Sequence, residues 1–185
     1  MDRRSALRNM ALLGGGLLLA PSCTVSEERV SIALNNLNVT GRQEQLLSEV
    51  TETFIPTTDT PGAQALNIHH FVLVMVDDCR NEQDQKAFVG GLDQIEQAAK
   101  DRYEASFSSC TASQKEEVIA GLMGDQSEMQ SATDNTYQQA RQCLSMTKRY
   151  TIQGFLQSEY VMTNELPYQL VPGHFNGCVP LEQKT

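Results

Sequence analysis

Residues 71–76 read Phe-Val-Leu-Val-Met-Val, and the conformation of this hexapeptide decides the fold class. All six residues are apolar and four are β-branched or aromatic, which is the composition of a buried strand. A strand needs a partner to satisfy its backbone N–H and C=O groups, and no partner strand is visible elsewhere in the chain. The stretch is therefore predicted to be the middle of a helix from about Ala63 to Asp78, apolar all round and so buried.

The neighbouring segments carry helical spacing. Leu46, Leu47, Val50 and Phe54 form one stripe of a helix over Gln43 to Phe54. Pro56 ends it, because the residue before a proline is pushed out of the α region. The next seven residues, Pro56-Thr57-Thr58-Asp59-Thr60-Pro61-Gly62, form a loop set by two prolines and by short hydroxyl and carboxylate side chains. A third helix is predicted from Glu82 to Phe107, with Phe88, Leu92, Ile95, Ala99 and Tyr103 at steps of four and three. Gly90-Gly91 weakens it by about 1 kcal/mol per glycine and marks the place where it would bend or split. Ser113 and Glu116 have the spacing of a capping box. They are predicted to open a short helix bearing Val118, Ile119, Leu122 and Met123, ending near Gly124. A last long helix is predicted from Ala132 to Leu156, with Tyr137, Ala140, Leu144, Tyr150 and Phe155. From Glu159 onward, Pro167, Pro172, Gly173, Gly177 and Pro180 predict an ordered arm without regular structure. The sum is a small all-α bundle of about five helices with an irregular C-terminal arm.

Three parts follow from this reading. Residues 1–23 have a basic start (Arg3, Arg4, Arg8), an apolar run from Met10 to Ala20 and small residues before Cys23. That order is a secretory leader, and Arg3-Arg4 followed by Leu7 resembles the twin-arginine type, which exports folded proteins. The apolar run is about half of the ~20 residues that a spanning helix needs. Ala20-Pro21-Ser22-Cys23 is a loose lipoprotein cleavage box. Two outcomes are open there: lipidation of Cys23, which tethers the domain to a membrane surface, or ordinary signal cleavage. Residues 24–41 are polar and aperiodic and read as a linker closed by Thr40-Gly41. Residues 42–185 form the helical domain, and about 160 residues outside the leader suffice for one real core.

The formal charge is -9, from 14 basic and 23 acidic residues, and three of the basic ones lie in the leader. An acidic chain of this kind cannot neutralise phosphates, which excludes nucleic acid as a partner, and it is unsuited to anionic lipid. Membrane contact is expected only through the signal or a lipid anchor. Cys79, Cys110, Cys143 and Cys178 are an even set in an exported chain and are disulfide candidates with three possible pairings. Their spacing of about thirty residues fits no zinc pattern.

Candidate chemistry is sparse. His69 and His70 with Asp77 and Asp78 suggest a metal, but adjacent helical residues point about 100° apart, so the expectation is one histidine packed, one solvated and no metal. No Gly-x-Ser-x-Gly, Gly-x-Gly-x-x-Gly or Cys-x-x-Cys-His is present, which excludes the usual hydrolase elbow, dinucleotide loop and c-type haem. No catalytic residue and no cofactor on this chain are expected.

Phe54-Ile55-Pro56-Thr57-Thr58-Asp59-Thr60-Pro61-Gly62-Ala63, entered from an amphipathic helix, resembles the loop of the gluconate 2-dehydrogenase subunit 3 family. Ser158-Glu159-Tyr160, Tyr168 and Val171-Pro172-Gly173-His174-Phe175-Asn176-Gly177-Cys178-Val179-Pro180 are similar to its closing segment. The leader resembles the family's own, while residues 80 to 150 match only as generic helix. The resemblance implies a non-catalytic small (gamma) subunit of a membrane-associated periplasmic complex. Its large partner would be an FAD-dependent sugar or alcohol dehydrogenase of the glucose-methanol-choline type, often with a cytochrome c subunit. The small subunit would supply the signal read by the twin-arginine machinery and stabilise the flavoprotein. Partner contacts are assigned to Pro56, Thr58, Asp59, Pro61 and Gly62 in the loop and to Tyr168, Pro172, Gly173 and Phe175 in the arm. Two other readings are open: a free-standing helical envelope lipoprotein that binds a small ligand or another envelope protein, and a metal-dependent enzyme using His69, His70 or His174.

Overall fold

The computed structural model describes residues 29–124, 137–166, 168, 171, 173, 174 and 178. Among them are five α-helices and no strand: α1 Gly41–Phe54, α2 Ile68–Cys79, α3 Glu82–Tyr103, α4 Ala112–Met123 and α5 Gln138–Leu156. A 3-10 turn at Phe107–Ser109 precedes α4, and a π-helical turn at Val161–Glu165 follows α5. The hexapeptide 71–76 is helical. Val72, Leu73 and Val76 are fully buried, and Val74 is exposed.

The core is built from one face of each helix. Leu47 and Val50 of α1, Phe88, Leu92 and Ile95 of α3 and Leu144 of α5 have no exposed surface, and each such side chain contributes about 1.5–3 kcal/mol by leaving water. The most extensive helix contact is between α3 and α5. Gly91 lies in it. A Cβ there would collide with Cys143 Cβ and stand 2.5 Å from the Gln139 carbonyl oxygen, so the glycine permits two backbones to approach closely. This corrects the expected weak point: α3 runs unbroken over 22 residues.

Several boundaries differ from the sequence reading. Residues 64–67 form a turn rather than the start of α2, and Asn67 is left-handed at φ 52°. α3 stops at Tyr103 because Glu104, also left-handed at φ 53°, donates its N–H to Lys100 O. α4 opens two residues earlier than expected: Thr111 accepts from Gln114 N at 3.4 Å, and Gln114 Oε1 accepts from Thr111 N at 2.9 Å. Ser113 and Glu116 share the spacing but lie inside the helix. α5 is described from Gln138, and residues 132–136, the expected first turn, lie outside the described residues.

The described part of the expected linker is a strap bound to the domain. Leu37 and Val39 are buried in the core, and Val30, Ile32 and Leu34 pack against it. Asp77 holds the strap: its carboxylate accepts from Asn35 N at 2.8 Å, Asn36 N at 2.7 Å and Leu37 N at 2.5 Å. Burial alone would raise the Asp77 carboxyl, but these three backbone donors hold it below its ordinary value. Gln85 of α3 closes the same end of α2, donating from Nε2 to Asp77 O at 2.9 Å and Arg80 O at 3.1 Å. Residues 24–28, like the leader, lie outside the described residues.

Candidate functional site

Two carboxylates on α1 organise what flanks that helix. Glu52 faces the loop that follows. Its Oε1 accepts from Thr57 N at 2.9 Å and Thr57 Oγ1 at 2.8 Å, and its Oε2 accepts from Gln64 N at 2.8 Å. Gly62 N donates to Thr57 Oγ1 at 3.1 Å, and Ala63 N donates to Ile55 O at 2.9 Å. A Cβ on Gly62 would press on both Glu52 oxygens and stand 2.6 Å from Thr57 N. Gly62 is therefore buried against the carboxylate, and Pro61 is partly buried. Pro56, Thr58 and Asp59 form the exposed rim. Sequence reasoning missed Glu52, which has no partner within its own helix to betray it.

Of the arm residues, Tyr168 and Gly173 are exposed, and a Cβ on Gly173 would meet nothing within 4 Å. Pro172 and Phe175 lie outside the described residues, as do Arg3, Arg4, Leu7 and Cys23. Exposed large apolar residues run from the last turns of α5 into the arm: Ile152, Leu156, Leu166, Tyr168 and Val171, the last 81% exposed. Among the described residues no helix is long and apolar enough to cross a membrane.

The four cysteine candidates are unpaired, which corrects the expectation of a disulfide. Cys143 is buried in the α3–α5 contact, where desolvation pushes its thiol up to about 12. Cys110 is buried, and Cys79 and Cys178 are exposed.

The second carboxylate, Glu44, stands in the first turn of α1 and faces the first turn of α2. Its Oε1 lies 3.2 Å from His70 Nε2 and 3.8 Å from His69 Nε2. Ser31 of the strap donates its N–H to Glu44 Oε2 at 2.8 Å, bonds Glu44 Oε1 through its hydroxyl, and places that hydroxyl 2.7 Å from His70 Nε2. The two imidazole rings are 4.2 Å apart, centre to centre, and tilted by 57°. The rings converge although their Cβ vectors diverge, because both lean toward α1. Asp77, one of the two acids grouped with the histidines in the sequence, is engaged with the strap instead. Burial raises the Glu44 carboxyl, and the Ser31 bonds together with the two histidines outweigh it and hold it low. His69 is pushed down to about 4, first by burial and then by His70, against the attraction of Glu44. The cluster opens on a cleft of about 1210 Å³ that also reaches Arg29, Asp93 and Lys100.

The loop presents an exposed rim on a backbone tied to α1 through Glu52. The profile of the family described as Gluconate 2-dehydrogenase subunit 3 matches residues 41–173, and the chain belongs to that family. No curated protein and no solved structure matches it.

Proposed function

We propose that this chain is the non-catalytic small subunit of a membrane-associated periplasmic FAD-dependent dehydrogenase acting on a sugar or alcohol. It carries the twin-arginine export signal and stabilises a large flavoprotein of the glucose-methanol-choline type, which holds the FAD, and a cytochrome c subunit takes the electrons. The observation that carries this reading is the family match over residues 41–173. Three features support it. Arg3-Arg4 and the apolar run after them have the order of a leader for folded cargo. The loop rim at Pro56, Thr58 and Asp59 is exposed on a backbone fixed by Glu52, so it loses little entropy on docking. Ile152, Leu156, Leu166, Tyr168 and Val171 present apolar side chains to solvent.

The export role is tested by the Arg3→Lys/Arg4→Lys variant in cells that make the flavoprotein. The expected result is that both chains and the dye-linked sugar oxidation stay in the cytoplasm. Normal export of the flavoprotein beside a retained small chain would refute the role.

A further inference from the structure

We propose that Glu44, His69 and His70, with Ser31 beside them, form a binding site for one divalent transition-metal ion of borderline softness, for which Zn2+ is the suitable probe. This inference stands apart from the subunit reading and does not rest on it.

Three observations carry it. One ligand atom from each of the three residues lies within 4.8 Å of the others. Zn–N and Zn–O bonds of about 2.0–2.2 Å separate tetrahedral ligands by roughly 3.4 Å. The 3.2 Å between Glu44 Oε1 and His70 Nε2 already meets this spacing, and the 3.8 Å to His69 Nε2 needs a shift of a few tenths of an ångström.

The state of His69 is the second. The residue is only 7% exposed, yet its Nδ1 is buried without a hydrogen-bond partner, and its Nε2 stands 3.8 Å from Glu44 Oε1, beyond hydrogen-bonding distance. A buried imidazole is ordinarily bonded at one nitrogen or both. Here the unbonded Nε2 edge faces the Glu44 carboxylate, where a cation would use its lone pair.

The third is the composition and access of the site. Two imidazoles and one carboxylate are a donor set that suits zinc and its neighbours and leaves a fourth position for water or the Ser31 hydroxyl. The cleft gives an ion a path to that position. A network of Ser31, Glu44 and His70 alone would hold the strap without any use for His69.

The test is Zn2+ binding to the full chain after chelator stripping, followed by calorimetry and metal analysis after dialysis. The expected result is one Zn2+ per chain. His70→Ala and Glu44→Gln should each weaken it at least about tenfold, while His174→Ala leaves it unchanged. Thermal unfolding of the metal-free variants shows whether each is folded, and partly exposed His70 is the position most tolerant of truncation. Absence of stoichiometric Zn2+ from the stripped and reloaded chain overturns the proposal. So does binding that survives His69→Ala/His70→Ala, or that is lost on alkylating the exposed Cys79 and Cys178.

Discussion

The strap before α1 and the loop after it are both irregular, both short and both tied to a carboxylate, yet they differ in what they hide. The strap buries Leu37 and Val39 and is held by Asp77 and Glu44. The loop buries Gly62 and Ala63 and shows Pro56, Thr58 and Asp59 to solvent. One completes the core, and the other is a fixed surface built on it. The difference teaches that hydrogen bonding to a carboxylate makes irregular backbone rigid in either case, and that side-chain burial alone separates a structural segment from one free to meet a partner.

The strap offers the largest effect by which to break this comparison. Asp77→Ala leaves three backbone donors without an acceptor, the buried Leu37 N–H among them, and should cost about 3 kcal/mol, read as a lower midpoint in urea unfolding. A strap that were merely a linker would leave the midpoint unchanged. In the loop, Gly62→Ala should cost about 2 kcal/mol, because Thr57 N must move to admit the methyl. The double variant Glu52→Ala/Gly62→Ala should cost less than the sum of the two single changes, since truncating Glu52 removes two of the three close contacts and releases Thr57 N from its acceptor, so that it can move aside. Strict additivity in that cycle would show that the carboxylate does not seat the glycine.

Acid sharpens the same contrast. His69 has a folded value of about 4, below its ordinary 6.5, so the folded state favours the neutral ring. Stability contributed in this way is present above about 6.5 and lost as pH falls toward about 4. The groups facing it are Glu44 and His70. Asp77 is also held below its ordinary 3.8, so its contribution is present above that value and lost as pH falls through the depressed one. Unfolding midpoints of the metal-free chain should therefore decline in two adjoining windows. His69→Gln should flatten the upper window and Asp77→Ala the lower, and a loop variant such as Glu52→Ala should preserve the two-step shape. The smallest effect is at the rim: Asp59→Ala should shift stability by less than about 0.5 kcal/mol. A larger loss would mean that the rim is part of the scaffold.

The helices were legible because apolar residues at steps of three and four leave few alternatives, as at Phe88, Leu92, Ile95 and Ala99. Their ends were less so. Thr111-Gln114 and Ser113-Glu116 satisfy the same capping pattern, and only the backbone shows which pair is used. Gly91 read as a defect because its reason is a neighbour fifty residues away, Cys143. The strap did carry a signal, the alternation of Val30, Ile32 and Leu34 with Leu37 and Val39 beyond, which polar neighbours obscured. The cluster at Glu44 was hidden for a different reason. Its histidines were visible, but the acid that meets them lies on another helix 25 residues before His69, a pairing that no local spacing reports.

The most direct test of the account is affinity purification of the C-terminally tagged chain from its native envelope under gentle conditions, followed by absorbance spectra and mass spectrometry. A large flavoprotein should come with it, with flavin absorbance and dye-linked sugar oxidation. A colourless chain recovered alone, stable and monomeric, would contradict the claim that this protein works as part of a dehydrogenase complex.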